Sequence, residues 1–505
     1  MNIFLDRTVR EPLYLQIHNQ IRQMILCGSL PAGYRLPSER RLAGQLGVNR
    51  STVTDAYREL EADGLVESRV GRGTTVKPPG EGKEEESPAG RPLVWKHLFS
   101  RQCTRVTSPL ISDIFEWMST EGVISFAAGL PPADLHPLRK FSAIYGELLT
   151  RRENILAHSP TAGYGPLREY IAGYMAGGGV HTGPENVVIT AGSQQGLDLL
   201  ARVLLEPGDA VVIEEPSYLG AVGVFRSAGV RFLGVPVDGE GMRVDLLQDI
   251  LERYRPKLIY TLPAFQNPSG VTMSRERRLA LMQAAYRHQV PVLEDDAYSE
   301  LYYEGTRPPL LKSLDPGDQV IYLGTFSKIL FPGLRVGWVA APAEVTRQLV
   351  LAKQLADLHT NTPAQVALAE FCDRRLLAGH LAIVRKVYAR RRDAMLEALA
   401  LADVPDLAWN RPQGGYYVWC SLPGAVSATR LLAASLERKV VFLPGDPFFA
   451  GNGGSGYLRL SFSTCRPETI RQGVAVIGEV LAGMSHRPAQ GERGKKGMPE
   501  MMPLT

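Results

Sequence analysis

Apolar side chains near the start of the chain recur at helical steps. Tyr14, Ile17, Ile21, Met24 and Ile25 repeat every three or four positions, which predicts an amphipathic helix ended by Gly28 and Pro31. Ser38 is placed to cap a second, short helix with Leu42 and Leu46 on one face, and Gly47 permits the tight turn after it. Asn49 is placed to cap a third helix with Val53, Ala56, Tyr57 and Leu60 inward and Gly64 just past its end. The following segment, LVESRVGRGTTV, alternates apolar and polar residues around Gly71 and Gly73, as a β-hairpin does. Helix, glycine turn, helix and hairpin together predict a winged helix-turn-helix over residues 1–76. In that arrangement Arg50, Ser51 and Thr52 open the third helix, where major-groove readers contact bases and phosphates. Arg40, Arg69 and Arg72 are placed to meet phosphates or the minor groove.

From residue 105 to 485 the pattern changes to short apolar strands alternating with helices, which predicts a mostly parallel sheet covered on both faces. Ligands of such sheets bind at the carboxyl ends of the strands. The polar residues of interest all follow a strand. VVIT (187–190) runs into Gly192, Ser193 and Gln194, a helix start suited to phosphate. VVIEE (211–215) leads to Tyr218, an aromatic face for a planar ring, and LIYTLP (258–263) leads to Asn267 in an Asn-Pro-Ser-Gly turn. VPVLE (290–294) leads to Asp295, Asp296 and Tyr298, and no His or further acid lies at ligand spacing, so no metal site is expected. VIYLG (320–324) leads to Thr325, Ser327, Lys328 and Arg335. A lysine flanked by hydroxyls, with an arginine for a phosphate and an aspartate on the neighbouring strand end, suits a Schiff base with pyridoxal phosphate.

Between these parts, residues 77–92 (KPPGEGKEEESPAGRP) hold almost no large apolar side chain and predict a flexible linker, taken as 77–104. Residues 486–505 lack periodicity and are expected to be a disordered tail. The 505 residues carry 56 Lys and Arg against 52 Asp and Glu, a formal +4 that neither demands nor excludes nucleic acid. Residues 1–80 have eleven basic against eight acidic side chains, so the DNA-reading expectation rests on placement rather than bulk charge. Five widely spaced cysteines form no C-x-x-C pair, and the chain shows no apolar leader or bilayer-length apolar run. A reducing cytoplasm is the expected compartment.

The head, with its LPSER-LA, N-R-STV, Y-LE-GL and GRGT strings, resembles the winged helix-turn-helix of GntR-type bacterial regulators. The body, with FAAGLP, GYGPLREYIA, NPSG, EDDAYSELYY, GTFSKILFPGLRVGW, PQGGYYVW and GYLRLSFS, resembles fold-type-I aminotransferases, closest to the group with 2-aminoadipate and aromatic aminotransferases. End to end the chain is similar to MocR-type regulators. That resemblance implies an α/β body with a large, mostly parallel sheet domain and a smaller C-terminal α+β lobe, holding pyridoxal phosphate. It implies that Lys328 condenses with the cofactor aldehyde and moves protons, that Asp295 pairs with the pyridine nitrogen, and that Asn267 and Tyr298 bond the ring oxygen. Tyr218 would stack on the ring, and Ser193, Gln194, Thr325, Ser327 and Arg335 would hold the phosphate. Arg459 would clamp a ligand α-carboxylate, and Gly129 would line the ligand pocket. Where relatives have a Tyr that reaches the partner subunit's cofactor phosphate, this chain has His158. The resemblance further implies a homodimer that reads promoter DNA in response to an amino compound or the cofactor. The alternative is a working aminotransferase that carries a DNA-binding head.

Overall fold

The computed structural model of the chain describes residues 12–69, 73–78, 98–105, 120–151, 155–424 and 426–485, with positions 3, 5, 6 and 95. Gly71 and Arg72 of the hairpin, most of the expected linker and the tail 486–505 lie outside these residues. The chain divides into two compact units, Met1–Leu98 and Phe99–Thr505.

In the first unit, α1 (Leu13–Leu26), α2 (Glu39–Leu46) and α3 (Arg50–Ala62) close around Ile17, Ile21, Leu42, Val53, Ala56 and Leu60, all buried. The predicted faces are the buried ones, because the three- and four-residue spacing puts these side chains on one stripe of each helix. Ser38 Oγ accepts from Arg41 N at 3.4 Å, and Gly47 takes the left-handed conformation (φ 61°) that ends α2. Asn49 occupies the N-cap of α3 but its side chain makes no capping hydrogen bond to that helix; the Thr52 N–H is taken instead by the Asn49 main-chain oxygen at 3.1 Å. After α3, β1 (Val66–Arg69) and β2 (Gly73–Val76) pair antiparallel, from Val66 opposite Val76 to Arg69 opposite Gly73.

The second unit opens with α4 (Arg101–Thr104), one turn capped by Ser100 Oγ accepting from Cys103 N at 3.4 Å. The last four residues of the expected 77–104 linker form this turn, and Arg105 just beyond it donates from Nη1 to Ser227 O at 3.3 Å. The chain then runs through β3 (Ile124–Ser125), α5 (Leu138–Arg151), α6 (Gly165–Gly177), β4 (Val187–Thr190), α7 (Ser193–Leu204), β5 (Ala210–Glu215) and α8 (Leu219–Ala228). It continues with β6 (Arg231–Asp238), β7 (Gly241–Met242), α9 (Val244–Tyr254), β8 (Leu258–Thr261), α10 (Arg275–His288), β9 (Val292–Asp296), β10 (Val320–Thr325) and β11 (Gly337–Ala340).

The large sheet has the order β4-β11-β10-β9-β8-β5-β6-β7. Its central pairs, β10 with β9, β9 with β8, β8 with β5 and β5 with β6, are parallel, whereas β11 runs antiparallel to both neighbours. Strands β4, β8, β9, β10 and β11 are buried along their whole length, which is why β4, β8, β10 and β11 read as nearly continuous apolar runs, whereas β9 ends on the buried acids Glu294, Asp295 and Asp296. One strand is shifted from the sequence expectation. Pro291 has no N–H for the ladder, so β9 begins at Val292 and runs through Asp296, and both aspartates lie inside the strand rather than after it.

Helices α11 (Ala343–Ala356), α12 (Thr362–Asp373) and α13 (Leu376–Leu401) lead into a smaller lobe. It contains β12 (Ala408–Trp409), β13 (Tyr417–Ser421), α14 (Ala428–Glu437), β14 (Val440–Val441), β15 (Leu443–Pro444), β16 (Tyr457–Ser461) and α15 (Pro467–Ser485). Its antiparallel sheet has the order β12-β13-β16-β15, and β14 pairs with β3, tying the start of the body to the lobe. This is the expected large domain and C-terminal α+β lobe. Among the described residues no helix is long and apolar enough to cross a membrane.

Candidate functional site

The turn from β4 into α7 forms a cradle of donors. Gly192 sits at φ 83°, and a Cβ there would lie 2.5 Å from Arg335 Nη2, so only glycine lets the guanidinium close on the backbone. Arg335 Nη2 donates to Ala191 O at 3.1 Å and Nη1 to Ser327 Oγ at 3.3 Å, while Ser327 N donates to Thr325 Oγ1 at 3.1 Å. Ser193 and Gln194 open α7, whose first N–H groups point out of the helix end. Tyr218, the N-cap of α8, donates from Oη to Gln194 Oε1 at 3.2 Å. Five residues expected at the phosphate thus converge with Tyr218 at one sheet rim, with the donors an anion requires.

Behind them the sheet supplies a buried acid and a half-buried lysine. Asp295 accepts from Tyr260 Oη at 2.8 Å, and burial pushes its carboxyl up to about 7. Burial and the same carboxylate keep the Tyr260 phenol protonated. Asp296, one residue on, faces the other side of the pleat and accepts from Tyr322 Oη at 2.8 Å and Ser299 Oγ at 2.5 Å. The two carboxylates therefore cannot share one ion. Lys328 lies on the chain after neighbouring β10; burial lowers its pKa, and Nζ donates to Gly129 O at 2.7 Å.

A second cation closes the far side. Arg459, on β16, donates from Nη1 to Asn267 Oδ1 at 2.8 Å and from Nη2 to Ala127 O, and its guanidinium lies 4.1 Å from the centre of the Tyr417 ring. Its Nε is buried without a hydrogen-bond partner among the described residues. With Oδ1 of Asn267 taken by Arg459, the amide nitrogen is the end that can donate to a ring oxygen. Tyr298 Oη pairs with Tyr417 Oη at 3.0 Å. A Cβ on Gly129 would collide with Tyr417 Oη, so glycine is required where the main chain passes under that ring.

His158 does not join this group within one chain. Its Nδ1 lies 2.9 Å from His359 Nε2, ring edge to ring face, on an exposed loop. On the head, Arg40 and Ser51 are exposed and Thr52 is half-buried, while Arg50 Nε and Nη2 donate to Glu39 Oε2 at 3.0 and 2.9 Å. Arg69 Nε is paired with Glu67 at 3.0 Å. Sequence reasoning missed Tyr260, Tyr417 and Gln195. Tyr417 stands in the PQGGYYVW string, but only the tertiary fold shows which tyrosine of the pair faces Arg459. Gln195, three residues after the Gly192 N-cap, has the spacing of a side chain that reaches back past a helix start, and that was the available signal.

A half-buried amine of lowered pKa, a buried acid with nothing cationic hydrogen-bonded to it among the described residues, and a cradle of donors match the aldehyde, pyridine nitrogen and phosphate of pyridoxal phosphate. Such an arrangement defines the site of a fold-type-I, pyridoxal-phosphate protein. The family described as Aminotransferase class I and II matches residues 122–477, and the family described as Bacterial regulatory proteins, gntR family, matches residues 13–76. An uncharacterised HTH-type transcriptional regulator of Bacillus subtilis, YisV, is 33% identical over 472 residues, covering 93% of this chain and 96% of its own length. The probable rhizopine catabolism regulatory protein MocR of Rhizobium meliloti is 32% identical over 484 residues, covering 94% of each chain. The crystal structure of LysN, the α-aminoadipate aminotransferase of Thermus thermophilus, complexed with N-(5'-phosphopyridoxyl)-L-leucine, matches with a TM-score of 0.74 and 40% identity. It covers 78% of this chain and 99% of that one. The chain belongs to the class I and II aminotransferase family and, with its GntR head, has the architecture of a MocR-type transcriptional regulator whose cofactor is pyridoxal phosphate.

Proposed function

We propose that the body senses an α-amino acid or a related amine through pyridoxal phosphate and passes the outcome to a DNA-reading head. The observation that carries this is that Lys328 and Arg459 meet the same main-chain segment, at Gly129 O and Ala127 O, which brings together an amine for the cofactor and a cation whose Nε has no partner among the described residues. The cofactor supplies an aldehyde that condenses with primary amines and a ring that withdraws electrons from the bonded carbon. Asp295 would pair with the ring nitrogen and keep it protonated, and Ser193, Gln194, Thr325, Ser327 and Arg335 would hold the phosphate. Asn267 and Tyr298 would donate to the ring oxygen, and Tyr218 would offer its aromatic face to the ring. Burial lowers the pKa of Lys328 Nζ, which favours the free amine that the cofactor aldehyde requires and that can take up a proton. Arg459 and the Gly129 main chain orient the ligand.

In this reading residues 1–76 form the DNA-binding head, 77–104 the tether, 105–485 the sensor and 486–505 a tail. Two chains associate as a homodimer in the cytoplasm, so that paired heads read promoter half-sites. The effector acts only if it favours one arrangement of the body over another. The test is a spectral screen of amino acids and amines on the cofactor-loaded chain, repeated with promoter DNA and with Lys328→Ala. A wild-type visible band that Lys328→Ala loses, and a footprint that changes with the same compounds, are expected. An unchanged spectrum in Lys328→Ala would refute the cofactor assignment.

The filled set of Lys328, Asp295 and Arg459 also favours a second reading, in which the body transaminates. Sustained turnover of an amino acid with a 2-oxo acid, without a footprint on promoter DNA, would establish it over the first.

A further inference from the structure

Under the β4–α7 turn lies a buried cation that none of the chemistry above uses. Lys353, on α11, has no exposed surface, and its Nζ lies 2.6 and 2.7 Å from the two Asp357 oxygens and 3.5 Å from Gln195 Oε1. Asp357 Oδ2 also accepts from Gln195 Nε2 at 2.8 Å. Gln195 Oε1 in turn accepts from Ala191 N at 2.7 Å. Ala191 is therefore held at both ends, its N–H by Gln195 and its carbonyl by Arg335. It is followed at once by Gly192 and Ser193, the start of the cradle.

We propose that Lys353, Asp357 and Gln195 form a positioning relay that holds the Ala191–Gly192–Ser193 turn in its phosphate-binding shape without touching the phosphate. The physical case is one of polarity. The two ends of a glutamine amide are nearly the same shape, so packing alone does not decide which end faces the turn. Asp357 only accepts and Lys353 only donates, so together they turn Nε2 toward the carboxylate and leave Oε1 for the ammonium and the Ala191 N–H. A flipped amide would set two donors against each other. A buried ion pair can often be replaced by apolar side chains without loss of stability, so the value of this one lies in the orientation it enforces. Removing Lys353 leaves Asp357 without its cation and free to turn from Gln195 Nε2 toward water, so the amide loses the carboxylate that fixes its donor end and the Ala191 N–H a firmly held acceptor. The turn that Arg335 grips from its other side then loosens.

The relay rests on reading the cradle as the site of the cofactor phosphate. Its test compares pyridoxal phosphate with pyridoxal, which lacks the phosphate, as ligands of the cofactor-stripped full chain, followed by absorbance. Lys353→Met and Gln195→Met are each expected to weaken pyridoxal phosphate by about 10- to 100-fold, as loss of a supporting hydrogen bond typically does. Pyridoxal binding should stay at the wild-type level, and the double variant should be no worse than Gln195→Met alone, because both act through one contact. Affinities for both ligands that fall together, or neither falling, would overturn the relay. Gln195 is only half-buried, so Gln195→Met decides the matter if Lys353→Met does not fold. A wild-type chain that takes pyridoxal phosphate no better than pyridoxal would overturn the cradle assignment itself.

Discussion

Asp295 gives the most direct test of the electrostatics. Its carboxyl stands at about 7 instead of 3.8, chiefly because burial disfavours the charged form, with the Tyr260 hydroxyl opposing that shift. At about 1.4 kcal/mol for each tenfold change in proton affinity, this is a difference of about 4 kcal/mol between the protonation states of the folded cofactor-free chain. The folded pKa lies above the unfolded one, so the folded chain holds the proton more tightly. The stabilisation is complete below about pH 4 and is lost as pH rises to about 7. A cation at the ring nitrogen reverses the preference, because it favours the carboxylate. Cofactor-stripped wild-type chain should therefore lose urea resistance as pH rises through that window, and cofactor should restore more of it at high pH than at low. Asp295→Asn keeps the shape and removes the titration. Glu294, also raised to about 7 by burial, is present in both proteins, so the difference between their pH curves isolates Asp295. Parallel curves for wild type and Asp295→Asn would refute the reasoning, since the titrating group would then lie elsewhere.

Three further outcomes follow from named contacts. Arg459→Lys replaces a planar fork by a point charge, so spectral responses to α-amino acids should weaken about tenfold or more while responses to amines without a carboxylate stay; equal loss for both, read by titration, would show that Arg459 does not read the carboxylate. Arg50→Ala should lower promoter affinity and reduce the slope of log affinity against log salt by about 1 if the side chain leaves Glu39 for a phosphate. An unchanged slope in a gel-shift series would place Arg50 off the DNA backbone. Leu60, fully buried in the head, should cost about 2–5 kcal/mol on truncation to Ala. The loss should appear in urea unfolding as reduced head stability, with cofactor absorbance unchanged.

What could be read from the sequence follows from how locally each feature is determined. The helices of the head were legible because the stripe of Ile17, Ile21, Val53 and Leu60 repeats at the helical period, and that period alone selects the buried face. The cradle was legible because a glycine and a hydroxyl just after a strand are local signs of a tight helix start. The end of β9 was not. Strand boundaries depend on which neighbour supplies ladder partners, and Gly324 of β10 extends the pairing to Asp296. That extension decides the chemistry, because alternation along a strand sends Asp295 to one face and Asp296 to the other. Read as a loop, the two acids could still meet one ion; read as a strand, they cannot. Tyr260 was hidden for the same reason. It lies opposite Leu293 in the parallel register, two residues before Asp295 along β9, and only the pairing of β8 with β9 brings its hydroxyl to that carboxylate. The Lys353 relay is further still from local reading, since it joins α11 to the start of α7 across 158 positions of sequence. A buried lysine reads as an ordinary surface residue until packing shows that its ammonium meets the acid and the amide that orient the cradle.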